Sequence, residues 1–354
     1  MTPSRFEPSP SRDAISTADD VGPLFLSSED VVALLDWRLA IDTLRDAYAV
    51  EASPDSVPPR AMARTPTAWI RTLTAALPSG QVMGAKMIAV SKSTRSTAYL
   101  IALFDTSTAE LTTLLDARHV TSMRTAATSA LAADHLLARQ TPKVALLGSG
   151  LEARNHLAAL LSIRDVSHVS VFSPTPTNRE KLVAEFAPQH DDIIAVDDPT
   201  TAVAGADLII CAARAVNEVP ILQGEWIADG TVVISIGSTV PEQREVDVET
   251  IRRSRVIVAD EPAEVRDETG DFLAAREAGV DTVPLHPLAE ALKWPSPPSS
   301  EGGLLLYKSV GSALQDVAVA EMLSRRARET ERGRALDLTL SNYASKASMD
   351  KGGS

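Results

Sequence analysis

At 354 residues, with 44% hydrophobic and 23% charged residues, the chain has a globular composition and is long enough for two cores. Its net charge of −13 argues against nucleic acid or an anionic membrane as partner, though not against a local basic pocket for a small anion. A single cysteine, Cys211, permits no intrachain disulfide and no cysteine-based zinc site. No apolar run reaches membrane-spanning length and Met1–Asp20 has no apolar signal core, so a cytoplasmic protein is expected.

Residues 1–25 are rich in Ser, Pro, Asp and Arg and read as a flexible arm. The first ordered element is expected at Leu26. Ser27 and Asp30 form a capping pair there, and Val31, Leu34, Leu35, Leu39 and Leu44 recur at helical spacing. The Pro-rich stretch Ser53–Pro59 ends that helix. From Ala68 to Leu103 the residues are β-branched and apolar, with Thr97–Phe104 the clearest strand and a hairpin through Asp105–Ala109 to Leu111–Leu115. An alanine-rich helix runs from His119 to Ala138. Strands at Val144–Leu147, Val169–Phe172, Ile193–Val196, Leu208–Cys211, Val232–Ile236 and Val256–Val258 follow, with helices at Leu151–Ser162 and Arg179–Phe186. A helix at Leu314–Ala327 and a polar tail from Arg332 close the chain. This alternation predicts an α/β fold: a Rossmann-type doubly wound parallel sheet (136–314) joined to an α+β substrate-binding and dimerisation domain (26–135 with 315–335), and a flexible tail at 336–354.

The run VALLGSGLEA places Gly148, Ser149, Gly150, Leu151, Glu152 and Ala153 directly after an apolar strand and at the start of a helix. In such a turn Gly148 allows the sharp bend, Gly150 lets the backbone approach a pyrophosphate, and Ala153 lets helix and strand pack closely. The helix N-terminus offers free N–H groups to the phosphates. Dinucleotide binding is favoured over a plain glycine turn, with Ala212, Ile236, Gly237 and Ser238 at later strand ends completing the cofactor site. Ser173 stands where an acid would select NAD. With Thr175, Asn178 and Arg179 beside it, the sequence leans toward NADP, with NAD as the other possibility and an ordinary N-capped surface loop as the competing explanation. Cys211 reads as a small core residue, and the six histidines show no paired spacing, so no metal is assigned.

The motifs GAKMI (Gly84–Ile88), SMRTAATSALAA (Ser122–Ala133), GSGLEAR (Gly148–Arg154), IGSTVPEQREVD (Ile236–Asp247) and YKSVGSALQDVA (Tyr307–Ala318) occur in an order that resembles the ornithine cyclodeaminase/mu-crystallin family. The likeness covers Leu26 to Ala327. It implies a homodimer of two-domain subunits, the last helix returning to the first domain, and an amino- or imino-acid substrate. Lys86 matches the family's substrate lysine, and Arg124 the arginine that grips the substrate carboxylate. Arg60 matches a second such arginine, with Arg64 as competitor. Asp316 occupies the family's QD position near the cleft. Read without the family, Lys86 is a strand lysine reaching for water, Arg124 a surface arginine and Asp316 an exposed helix carboxylate. The chemistry fits these residue types, since a planar guanidinium grips a carboxylate through two parallel hydrogen bonds and a nearby lysine can assist proton transfer.

Two positions depart from the family. Where cyclodeaminases carry an aspartate that acts on the substrate amine, this chain has Thr239, whose hydroxyl cannot supply a carboxylate's charge. In Ser91–Tyr99 the His-Gln pair of several relatives is missing, and Arg95 either suits a dicarboxylic substrate or decorates a loop. The resemblance thus implies an NAD(P)H-dependent reductase of a carboxylate-bearing imine, reversible as an amino-acid dehydrogenase. The alternatives are an ornithine cyclodeaminase and a non-enzymatic, NADP-dependent binding protein like mu-crystallin.

Overall fold

The structure, a computed structural model, describes residues 22–50, 52–213, 219–299, 302–338 and 340. The chain opens with β1 (Leu24–Leu26), α1 (Ser28–Ala33), α2 (Trp37–Ala49), β2 (Ala61–Arg64), β3 (Ala68–Ala76), β4 (Val82–Ser91), β5 (Ser96–Asp105), β6 (Leu111–Asp116) and α3 (Arg118–Leu136). Next come β7 (Lys143–Leu147), α4 (Leu151–Ile163), β8 (His168–Phe172), α5 (Pro176–Phe186), β9 (Ile193–Ala195), α6 (Pro199–Val203) and β10 (Leu208–Cys211). They are followed by β11 (Val232–Ser235), α7 (Val248–Arg253), β12 (Ser254–Ala259), α8 (Pro262–Glu268), α9 (Gly270–Glu277), β13 (Leu285–Pro287), α10 (Leu288–Ala291) and β14 (Leu304–Lys308). Finally α11 (Ala313–Glu329) and β15 (Arg334–Ala335) bring the chain back to its start.

Among the described residues the strands form two sheets. The first, in the order β15-β1-β6-β5-β4-β3-β2, is antiparallel except where β1 lies parallel to β6. The second, in the order β13-β12-β14-β11-β10-β7-β8-β9, is parallel throughout. Its strands are short apolar runs such as LIIC and VVIS because both faces are covered. The period-two alternation divides them cleanly. Val144, Leu146, Ile210 and Ile234 join the core that continues into the first lobe, while Ala145, Leu147, Ile209 and Val233 face a second core. The order reverses between β7 and β10, which opens a crevice at the carboxyl ends of those strands.

Helices α3 and α11 hold the lobes together. Both are buried on nearly every side, and small residues make this possible: Ala126, Ala127, Ala130, Ala132 and Ala133 in α3, and Ala313, Ala318 and Ala320 in α11. α11 packs against β3, β4 and β5 on one side and against α2 and α3 on the other. Gly84 on β4 permits this approach, since a Cβ there would lie 3.2 Å from the Val317 side chain and 2.8 Å from the Ala102 carbonyl. No helix among the described residues is long and apolar enough to cross a membrane.

Several local expectations are corrected. The first element is strand β1, not a helix beginning at Leu26, and the single helix expected after it is two. Leu34–Asp36 interrupts them, and Asp36 caps α2 by accepting the Leu39 N–H at 3.1 Å. Leu24 and Phe25, inside the expected arm, pair with β6 and with β15 in the polar tail, and the Leu336 N–H donates to the Pro23 carbonyl at 2.9 Å. Most of the expected arm and tail (1–21, 339 and 341–354) lies outside the described residues. α5 starts at Pro176, so Asn178 and Arg179 sit in its first turn. Cys211 is fully buried, as expected of a core residue.

The carboxyl edge of the parallel sheet rests on buried charges. Lys308 ends β14 without solvent exposure, donates to Ser235 Oγ at 2.8 Å and pairs with Asp271 at 3.0 Å. Glu245 accepts from Ser235 Oγ (2.7 Å) and from the N–H groups of Ile236 and Gly237 (2.8 Å each). Asp271 in turn accepts the Glu245 N–H at 2.7 Å. Burial pushes the Glu245 carboxyl up to about 7, against the lowering pull of Lys308 and the Gly237 N–H. Removing one partner of such a cluster strands the others in the core. Lys308→Met is therefore expected to cost about 3–5 kcal/mol of stability. Chemical denaturation measures this, and a variant as stable as the parent would show that the cluster contributes nothing to folding.

Candidate active site

The glycine turn leaves β7 at Gly148. Its φ of +135° and the position of a would-be Cβ, 2.5 Å from the Ala212 carbonyl, admit only glycine. Gly150 caps α4, and a Cβ there would meet nothing within 4 Å, so space stands open before the helix N-terminus. Ala153 is fully buried against the sheet, whereas Leu151 is 41% exposed. A tight glycine turn, open space and a free helix N-terminus are together what a phosphate cradle requires.

Ser173, the residue after β8, is buried and its Oγ accepts a hydrogen bond from Ser149 Oγ at 2.8 Å. Thr175 and Asn178 are exposed beside it. Arg179 is placed differently from the expected free phosphate partner. Its guanidinium is buried, donates to the Ser173 carbonyl at 2.9 Å and pairs with Asp197. Ala212 follows β10 with its N–H on the Leu147 carbonyl (2.9 Å), and Ile236–Ser238 form the loop that Glu245 holds from beneath.

A second cluster lies where the first sheet meets α3 and α11. Lys86 on β4 is 1% exposed and its Nζ lies 2.6 Å from Asp316 Oδ2. Arg124 on α3 is 6% exposed, with Nε on Asp316 Oδ1 at 2.9 Å and Nη1 on Gln315 Oε1 at 2.9 Å. Asp316 itself is fully buried in the first turn of α11, where the helix dipole favours a negative charge. The surface readings of these three residues are thereby overturned. Ser312 caps α11, and Gln315 reaches on to Tyr48 OH at 2.8 Å and to Asp260 Oδ2 at 3.2 Å. Asp260 ties down the loop before the helix by accepting the N–H groups of Val310 (3.0 Å) and Gly311 (2.8 Å).

Burial lowers the Lys86 ammonium to about 8 despite Asp316, and the neighbouring Arg124 and Arg71 charges add to that lowering. Burial works against the Arg124 charge too, but Asp316 and Asp260 outweigh it and raise its pKa further. Lys86 is therefore the group in this cluster that changes charge near neutral pH.

The two clusters are physically linked. Ser122, two residues before Arg124, donates to Glu152 of the glycine motif at 2.7 Å. Arg60 pairs with Glu264 at 3.0 Å and with Glu268 at 2.5 Å, and donates to the Thr239 carbonyl at 3.4 Å. Its competitor Arg64 is exposed. The Thr239 hydroxyl turns instead to Gln243 Oε1 at 3.4 Å. Arg95 lies exposed in the turn between β4 and β5 at a φ of 53°, away from this cluster in the sheet register. Sequence reasoning missed Arg71, buried on β3, as well as Glu264 and Gln315. Only the alternation of Arg71, Leu73 and Ala75 on the core face of β3 could have signalled the first.

Gly311 shows how tightly Arg124 is housed. Its φ is +86°, and a Cβ there would lie 2.5–2.8 Å from the Arg124 guanidinium. Gly311→Ala is expected to lower stability by about 1–3 kcal/mol through backbone strain and displacement of Arg124 from Asp316. A thermal or chemical unfolding curve superimposing on the parent's would show that the contact is easily relieved.

A sequence profile of the ornithine cyclodeaminase/mu-crystallin family matches residues 23–331. A Delta(1)-pyrroline-2-carboxylate reductase from Colwellia psychrerythraea is 32% identical over 225 residues, 62% of this chain and 70% of its own. The mouse ketimine reductase mu-crystallin is 30% identical over 223 residues, 63% of this chain and 67% of its own. A relative named as a cyclodeaminase, from Sinorhizobium fredii, matches at a similar level, 31% over 224 residues, 62% of this chain and 67% of its own. Among solved structures, Thermococcus litoralis Delta(1)-pyrroline-2-carboxylate reductase in complex with NADH and L-proline is similar with a TM-score of 0.80 and 26% identity. It covers 88% of this chain and 100% of its own.

Proposed function

The chain belongs to the ornithine cyclodeaminase/mu-crystallin family, and within it we propose an NAD(P)H-dependent reductase of a carboxylate-bearing imine, reversible as an amino-acid dehydrogenase. The observation that carries this reading is the sharing of one buried carboxylate, Asp316, between two buried cations, Lys86 and Arg124. The trio retains one positive charge, and a substrate carboxylate would balance it.

In this reading Gly148–Ala153, Ala212 and Ile236–Ser238 would hold the dinucleotide, with its pyrophosphate at the glycine turn, and its nicotinamide would supply the hydride. The protein's own residues do the rest. Arg124 holds the carboxylate and, with Arg60, fixes the substrate's orientation, so that little further ordering is needed before reaction. Lys86 carries a proton that it can release to the imine nitrogen, and Asp316 keeps its ammonium aimed. Thr239 is neutral and engaged with Gln243, so it offers no base for activating an amine. We take the homodimer implied by the family as part of the same proposal, and NADPH as the preferred form because Ser173 leaves no acid to repel a 2′-phosphate.

The decisive assay follows nicotinamide absorbance with cyclic imines and with 2-oxoacid plus ammonia, using both cofactors. One reduced nicotinamide should be consumed per amine formed, faster with NADPH. Ornithine should give no proline. Proline formation from ornithine with no net change in the nicotinamide would make the protein a cyclodeaminase, and ligand binding with no turnover would make it a binding protein.

The Lys86 ammonium also sets a pH dependence. Its pKa in the fold is about 8, so the protonated form prevails below that and is lost above it. For imine reduction, kcat/KM should fall about tenfold per pH unit above that point. Lys86→Met should lower activity at neutral pH and erase this alkaline limb. A limb that persists in the variant would assign it to another group.

A further inference from the structure

Arg71 is the one member of the cluster that the reductase reading leaves without work. It is 7% exposed, and its buried Nε has no hydrogen-bond partner. Among the described residues no carboxylate lies within ion-pair range of its guanidinium. In the β3–β4 register, Arg71 stands opposite Ile88 and Leu73 opposite Lys86, so Arg71 and Lys86 are diagonal neighbours on the core face of one sheet. Diagonal neighbours lie about 7–8 Å apart at the backbone, within reach of long side chains that converge on one small molecule. The Arg71 guanidinium packs over the Trp69 ring with its centre 5.4 Å from the centroid. Stacking occupies the flat face of a guanidinium and leaves its N–H edge for an acid.

The charges around it are already spoken for. Asp316 serves Lys86 and Arg124, and the substrate's own carboxylate completes that group. Glu264 and Glu268 are close enough to be felt by Arg71, but both contact Arg60. Burial, followed by repulsion from Arg60, lowers the Arg71 pKa only to about 10, so it remains charged at neutral pH. A buried guanidinium with no anion in contact is costly, and an anionic group arriving with the substrate removes that cost. Arg95, the other cation that could have served, lies in an exposed turn.

We infer that Arg71 binds a second carboxylate on the substrate, so that the preferred imines are those of 2-oxo dicarboxylic acids. This rests on the reductase reading above. The test compares pyruvate with oxaloacetate, each with ammonia and NADPH, because the pair differs by one carboxylate. The parent protein should favour oxaloacetate by tenfold or more in kcat/KM, and Arg71→Met should collapse that ratio by about 10- to 100-fold, mainly through KM for the diacid. A preference for pyruvate, or equal losses on both substrates in Arg71→Met, would overturn the inference and leave the reductase standing. If neither imine is reduced, the cyclic imines of the assay above decide the reductase reading, and binding decides the role of Arg71. Succinate and propionate titrated against the cofactor-loaded protein, read by the fluorescence of Trp69 and the other tryptophans, should show a diacid preference that Arg71→Met abolishes. Equal affinities in the parent would sink it.

Discussion

The buried contact of Asp316 with Lys86 and Arg124 is the constraint around which the molecule is organised. Each residue comes from a different element, β4, α3 and α11, and each is almost without solvent exposure. Charges in such a place are stable only when their geometry and hydrogen bonding are complete, because removal from water costs several kcal/mol per ion. The surroundings meet that demand. Gln315 supports Arg124, Tyr48 supports Gln315, and Asp260 fixes the loop that delivers Asp316. Replacing such a group by apolar side chains is often neutral for stability, so stability alone does not account for its presence.

The parallel sheet solves a related problem by different means. A cofactor crevice needs loops that are held yet leave their outward faces free. Glu245 does this by taking the N–H groups of Ile236 and Gly237 from beneath, with Lys308 and Asp271 behind it. Gly148 presses against the Ala212 carbonyl, so the first and fourth strands of the lobe are locked at the point where the order reverses. The two lobes then meet through polar contacts that include Ser122 with Glu152, Arg164 with Asp134, Gln315 with Asp260, and Arg60 with Glu264, Glu268 and the Thr239 carbonyl, beside the shared apolar core.

The parallel lobe was largely legible in the sequence because local pattern and final environment agree there. Runs such as Val144–Leu147 and Leu208–Cys211 are apolar since both their faces are covered, and the glycine turn carries its context in neighbouring residues. What escaped reading depends on partners distant in the chain. β1 is three residues long and exists only because β6 and β15 flank it. The burial of Asp316 follows from Lys86, more than two hundred residues earlier, and its helix position alone looks like any capped first turn. Arg179 resembles a phosphate ligand until Asp197, beyond the next strand, claims it. Arg71 was overlooked because an arginine within a β-branched run reads as an edge or surface residue, and only the register with β4 turns it inward.

The return of α11 to the first lobe carries a consequence for biogenesis. A chain leaves the ribosome from its N-terminus, and domains ordinarily fold in the order in which they emerge. Here the first sheet emerges early, yet the helix that covers it and the strand that closes its edge are made last. The parallel lobe has all of its strands before then and can complete itself first. Until α11 arrives, the face bearing Lys86 and Arg124 lacks both its cover and its counter-ion, so the nascent chain exposes an unfinished, cationic and apolar surface throughout most of its synthesis. The Lys86–Arg124–Asp316 cluster thus awaits the last long helix, and a chain truncated shortly before α11 would retain every strand of the parallel lobe while lacking Asp316.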